Sequence, residues 1–199
     1  MFQIEATKYI RAFAYQAEKM GNVYCGDCFY MLATDCYFIC VIADGLGSGK
    51  AAYESSSAIC RMVEKYQEED LSTLLSKCNE GMKNKRGATV SLLKVDFLKR
   101  ECVYSSVGNI RFTLYSPSNQ FIYPLPVGGY LSGKPQKYRI HTFAYEQGST
   151  FILYSDGLKL PMSRSLLKQY HTVEEITKNL EQYIPLRTDD LTYVVGQLL

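Results

Sequence analysis

Residues 2–7, 10–15 and 28–33 read as strands, the first by its alternation of apolar and polar residues, a period of two. Residues 37–43 are almost continuously apolar, which predicts a strand buried on both faces and ending at Asp44. From 49 to 67 the spacing changes to threes and fours, through Ala52, Ala58, Ile59, Met62, Val63 and Tyr66, and predicts a helix. A second helix is expected over 71–82, set off by the polar run Gln67-Glu68-Glu69-Asp70 and capped by Asp70 or Ser72. Strand patterns return over 88–96, 101–107, 111–116 and 120–123, with short turns between them as in an antiparallel meander. Residues 124–135 hold three prolines and three glycines and read as the longest loop. Strands over 138–145 and 150–155, a helix over 173–183 behind the cap Thr172, and a strand over 191–198 complete the chain.

This order of elements predicts an α+β fold, two antiparallel sheets packed together with helices outside, as a single domain over 1–199. Composition changes the picture little: 47% hydrophobic and 21% charged residues are ordinary for a globular protein. A net charge of +2 carries no electrostatic footprint for nucleic acid or an anionic membrane, and the basic cluster 83–86 reads as a solvated turn. Apolar runs fall short of the roughly 20 residues a membrane helix needs, and residues 1–18 lack a signal-peptide pattern. The expectation is a cytoplasmic monomer. Seven cysteines, an odd number, are expected to stay reduced and act as small hydrophobes. Cys25-x-x-Cys28 and Cys36-x-x-x-Cys40 imitate zinc-ligand spacing, but Asp27 interrupts the first pair and the second lies in a β-patterned apolar run.

The chemistry gathers at element ends. Asp44 follows a buried strand in Ile42-Ala43-Asp44-Gly45, and Asp156 repeats that grammar in Tyr154-Ser155-Asp156-Gly157. Such sites suggest carboxylates projecting from a rigid scaffold, each beside a glycine that admits close backbone approach. Gly26-Asp27 and Asp189-Asp190 each precede a predicted strand. Asp-Gly is also a common turn pair, so the weight lies in four such sites occurring in one chain. Packed together, the carboxylates would raise one another's pKa, and a hard divalent cation with oxygen ligands would relieve that. With only His141 and His171 in the chain, a histidine-rich centre is excluded. Water activated between two metal ions, with no covalent enzyme intermediate, is the chemistry this set suggests.

Gly26-Asp27, Asp44-Gly45-Leu46-Gly47, Gly87-Ala88-Thr89, Gly108-Asn109-x-Arg111, Ser155-Asp156-Gly157-Leu158 and Asp189-Asp190-Leu191-Thr192 follow one another in order. In that order and spacing the chain resembles the type 2C (PPM) metal-dependent serine/threonine phosphatases over essentially all of 1–199. The likeness is to the bacterial branch that includes SpoIIE and the RsbU and RsbP phosphatases. Small size, the absence of a regulatory domain and the segment 130–138 make it most similar to a stressosome phosphatase of Gram-positive bacteria. The resemblance implies an α-β-β-α sandwich and two Mn²⁺ or Mg²⁺ ions. It implies that Asp44 bridges both ions with help from the Gly45 carbonyl, that Asp27 serves the second, and that Asp156 and Asp189 hold the first. Asp190 falls where the family has Asn or Asp. The implied substrates are phosphoserine or phosphothreonine on the STAS-domain proteins RsbS and RsbR. Their dephosphorylation would let RsbS recapture the kinase RsbT and damp sigma-B.

The chain departs from larger members of the family in three places. Gly26 stands where they have an acidic residue, Asn109 replaces an aspartate able to bind a third metal, and the upstream phosphate-binding arginine is missing from Gly21-Asn22-Val23-Tyr24. The metals alone, Lys19 or Lys50 are the substitutes for that arginine. A nucleotide-binding loop is a rival reading of Gly45-Leu46-Gly47-Ser48-Gly49-Lys50, but Asp44 stands where its first glycine belongs and Ala51 where its hydroxyl belongs. Ser48 is the expected cap of the helix that follows. A second rival is a binding module that keeps the fold without catalysis, against which all four aspartate sites stand. Arg86 reads as structural, Arg111 as a partner for a carboxylate or a surface residue, and 124–135, with Lys134 and Lys137, as the candidate partner contact.

Overall fold

The computed structural model describes residues 1–186 and 188–199. One sheet has the strand order β1 (Phe2–Ala6), β2 (Ile10–Ala17), β11 (Leu191–Leu198), β10 (Thr150–Tyr154), β7 (Arg111–Tyr115), β8 (Phe121–Ile122). The other runs β3 (Asp27–Ala33), β4 (Tyr37–Gly45), β5 (Ala88–Asp96), β6 (Glu101–Val107), β9 (His141–Ala144). Every strand pair in both sheets is antiparallel. The helices α1 (Lys50–Tyr66) and α2 (Leu71–Glu80) cover the second sheet, and α3 (Ser163–Gln169) and α4 (Val173–Leu180) cover the first. A 3₁₀ turn, Glu181–Leu186, follows α4. The expected α-β-β-α sandwich of two antiparallel sheets is what forms.

Strand β4 shows why the layers stack. Phe38, Cys40 and Ile42 point into the core between the sheets, where they meet Phe112, Phe151 and Val194 of the opposite sheet. Ile39, Val41 and Ala43 point the other way, against Ile59 and Val63 of α1 and Leu74 and Leu75 of α2. Its continuous apolar pattern is thus that of a strand buried on both faces. Among the described residues, no helix is long and apolar enough to cross a membrane. All seven cysteines are free thiols, and Cys40, Cys60, Cys78 and Cys102 are buried. Cys36 is exposed, outside the strand pattern assigned to it.

Three expectations are corrected. The meander over 88–123 is divided: β5 and β6 pair in one sheet, and β7 and β8 in the other. The turn Gly108-Asn109 carries the chain across, with Gly108 at φ 115 and the buried Ile110 anchoring the far side. Helix α1 begins after Gly49 (φ 72) with no side-chain cap, so Ser48 does not cap it. Residues 138–140 and Tyr145 are not strand, which leaves β9 four residues long. Asp70 does cap α2, accepting from the Ser72 and Thr73 N–H groups, and Thr172 forms a reciprocal capping box with Glu175 on α4.

Candidate metal centre

The predicted aspartates meet at one end of the sandwich, each delivered by a strand end. Antiparallel register places Asp27, the first residue of β3, opposite Asp44 near the end of β4. Across the core, β10 ends at Tyr154 and the chain turns through Ser155-Asp156-Gly157, while Asp189-Asp190 leads into the adjacent β11. Glycine is needed beside both key aspartates. A Cβ on Gly45 would lie 2.0 Å from the Ala52 carbonyl oxygen of α1, and one on Gly157 would lie 1.9 Å from the Asp190 carbonyl oxygen. Neither glycine needs a left-handed backbone, so close packing alone explains both Asp-Gly pairs.

Ser155 ties the two sheets together at this point. Its hydroxyl accepts from the Thr192 N–H at 3.0 Å and donates to Asp27 Oδ2 at 2.6 Å. The Asp27 side chain is almost wholly enclosed, 1% exposed, and burial followed by repulsion from Asp44 raises its pKa well above the ordinary carboxylate value. The Asp44 pKa is pushed up to about 7, first by burial and then by the charges of Asp156, Asp189 and Asp190. The charges that raise Asp44 all come from residues at the ends of the opposite sheet's strands. Asp156 and Asp189 are exposed at the mouth of the site.

Asp190 has a different task. Its Oδ1 accepts from the Lys19 N–H and its Oδ2 from the Gly26 N–H, each at 2.8 Å, which pins the segment before β3 to the start of β11. A Cβ at position 26 would lie 2.8 Å from Asp190 Oδ2, so this carboxylate fills the space that a side chain at Gly26 would need. Asn109 donates from Nδ2 to Asp156 Oδ2 at 2.8 Å and fixes that side chain. Ser155 and Asn109 stood in the sequence motifs without an assigned role. Their hydroxyl and amide types carry no signal of a carboxylate partner until the turn at 108–109 and the end of β10 are brought together.

The basic residues are placed as follows. The Lys50 ammonium pairs with Glu54 one turn along α1, at 3.7 Å. Lys19 enters the site through its backbone N–H. Arg86 lies over the loop after Asp44, its Nη1 2.7 Å from where a Cβ on Gly47 would stand. The loop 45–49 precedes a helix but follows a strand in an antiparallel sheet, and Gly87 bonds to it by accepting from the Leu46 N–H.

Among the described residues, no three His, Cys, Asp or Glu side chains close around one point as they stand. Asp27 is turned to Ser155, Asp156 to Asn109, and both Asp190 oxygens to backbone amides. The chemistry of the donors still fits a hard divalent cation: they are all oxygens, the Asp44 charge raises the pKa of the enclosed Asp27, and among the described residues no cationic side chain is bonded to either.

Residues 34–197 match the family profile of Stage II sporulation protein E (SpoIIE). The chain belongs to the SpoIIE family. It is 54% identical to phosphoserine phosphatase RsbX of Bacillus subtilis (strain 168) over 198 residues, covering 100% of both chains. A crystal structure of RsbX in complex with magnesium superposes with a TM-score of 0.97 at 53% identity, again over 100% of both chains. Two more distant structures share the fold. One, from work on the bacterial stressosome, has a TM-score of 0.83 at 24% identity, covering 96% of this chain and 100% of that one. The other, the catalytic domain of the serine/threonine phosphatase PstP with two manganese ions, has a TM-score of 0.76 at 16% identity, covering 96% and 99%. As a SpoIIE-family member with this RsbX likeness, the protein is a metal-dependent phosphoprotein phosphatase.

Proposed function

We propose that the protein, acting as one phosphatase domain over 1–199, removes phosphate from phosphoserine or phosphothreonine on STAS-domain stressosome proteins, the counterparts of RsbS and RsbR. The observation that carries the site assignment is the meeting of Asp27, Asp44, Asp156 and Asp189 at the end of the sandwich, with Asp44 opposite Asp27 and raised by the charges of the other two. Asp44 and the Gly45 carbonyl would serve two ions, Asp27 one of them, and Asp156 with Asp189 the other. When bound, two Mn²⁺ or Mg²⁺ ions supply charge neutralisation at the phosphoryl oxygens and a water acidic enough to attack phosphorus. The chain's own part is to hold the oxygens in place. Ser155 fixes Asp27, Asn109 fixes Asp156, and Asp190 fixes the approach of the segment carrying Asp27. The magnesium complex of RsbX supports the choice of cation, and the two-manganese PstP domain supports the number of ions.

The substrate assignment rests on likeness to RsbX along the whole chain. In this reading the protein is a cytoplasmic monomer that damps sigma-B by returning RsbS to its kinase-binding form. The test compares phosphate release from a phosphoserine STAS-domain protein with release from a generic phosphopeptide of equal concentration. A much higher kcat/KM on the STAS protein is expected; equal values on both would remove the stressosome substrate and leave a general phosphatase.

A further inference from the structure

Beside Asn109, the residue that holds Asp156, a groove of about 440 Å³ runs along β7. Its walls are the segment 123–126 and the first turn of α3. The hydroxyls of Thr113 and Ser163, 3.0 Å apart, tie that turn to the groove floor. A second depression of about 310 Å³ shares Arg111 and Tyr154 with it and contains Asp156 and Lys159. The two form one channel that leads past the proposed reaction centre.

The channel is cationic. Arg111 lies opposite Tyr154 in the sheet register, two residues beyond Asn109. Arg164 enters from α3, and its guanidinium stacks on the Tyr123 ring at 3.8 Å from the centroid. Stacking holds the guanidinium plane by its face and leaves its N–H edge free to meet a carboxylate. Neither arginine forms an ion pair among the described residues. The Lys159 ammonium, which donates to the Asp156 carbonyl at 2.6 Å, adds a third positive charge near the mouth. Among the described residues, Asp156 is the one carboxylate that lines the channel. Open depressions of this size beside the reaction centre admit a peptide segment, and guanidinium groups without an ion-pair partner among the described residues call for an acidic one.

We propose that this groove binds the segment flanking the phosphorylated residue of the protein substrate, and that Arg111 and Arg164 select acidic side chains within a few residues of it. The inference rests on the assignment of Asp156 to the reaction centre. Charge contacts of this kind act mainly on encounter and on specificity, and they weaken as salt rises. The test is the ratio of kcat/KM for two phosphoserine peptides that differ only in carrying glutamates or glutamines around the phosphoserine. A ratio of about 10 or more is expected for the wild type at low salt, falling towards about 1 in the double variant Arg111→Gln/Arg164→Gln. A second variant, Arg164→Glu, is expected to shift preference towards a peptide with flanking lysines, a gain that a misfolded protein would not show. If the wild type turns over the acidic and neutral peptides equally, or the double variant keeps the wild-type ratio, the groove is not a selector, and the phosphatase assignment stands apart from that result.

Discussion

Asp44 sits where burial and charge repulsion work in the same direction, and its behaviour without metal follows from that. In the folded, metal-free protein it keeps a proton up to about 7, whereas an aspartate in an unfolded chain releases it near 3.9. Between those values the folded state binds more protons, so the contribution of this residue to stability falls as pH rises through that window. Asp44→Asn removes the titrating group. The Tm difference between metal-free variant and wild type, followed from about pH 4 to about pH 7.5, is expected to move in the variant's favour as pH rises; a constant difference would contradict the shift. Asn109 makes a second prediction at this scale. It fixes Asp156 through one 2.8 Å bond, so Asn109→Ala is expected to cost about 10–100-fold in metal affinity or turnover, read by titration calorimetry and by phosphate release. An unchanged affinity together with unchanged turnover would show that Asp156 needs no such support. Residue type alone showed that carboxylates were present; which polar neighbour holds each one became visible only when β10, β11 and the turn at Gly108 came together.

At the scale of elements, the legible features were those with a strong period or a local cap. Strand β4, the helix α1 and the capped helices α2 and α4 are each specified by their own residues. Helix α3 was not, since it is seven residues long, and Met162 at its N-cap offers no side-chain bond. The division of the 88–123 strands between sheets was equally hidden, because alternation gives a strand's faces and not its neighbours. The loop 124–135 shows how an irregular segment becomes part of the scaffold. Leu131 is fully buried and exchanges two backbone hydrogen bonds with Ala88, at 3.0 and 2.9 Å. Asn79 of α2 accepts from the Ser132 and Gly133 N–H groups and donates to the Lys134 carbonyl. The length of the loop therefore has a structural reason over 127–134, while 124–126 line the groove beside Asn109 and Lys134 and Lys137 stay exposed. Asn79→Ala is expected to destabilise the protein by about 1–3 kcal/mol in denaturant unfolding, since it leaves two amides and a carbonyl without their partner. A change below about 0.5 kcal/mol would mean that the loop is held without it.

For the molecule as a whole, the sandwich gathers onto one end residues that lie far apart along the chain. Asp27 and Asp44 arrive on one sheet, Asp156 and Asp189 on the other, and the Ser155–Asp27 bond crosses between them. The core of Phe38, Phe112 and Phe151 sets how far apart the sheets stand, and therefore how closely the carboxylates approach. A cation at that end would link both sheets, so loading with Mn²⁺ is expected to raise Tm in the wild type and much less in Asp44→Asn. The ordered motifs made the family legible from the sequence; the packing of Gly26 and Gly157 against Asp190 was not, because it depends on contacts across 164 and 33 positions of the chain (190 − 26 and 190 − 157). The most direct test of the account is phosphate release from a phosphoserine protein with Mn²⁺, comparing wild type with a folded Asp44→Asn. A loss of about 100-fold or more in kcat is expected; equal rates would contradict catalysis at this centre.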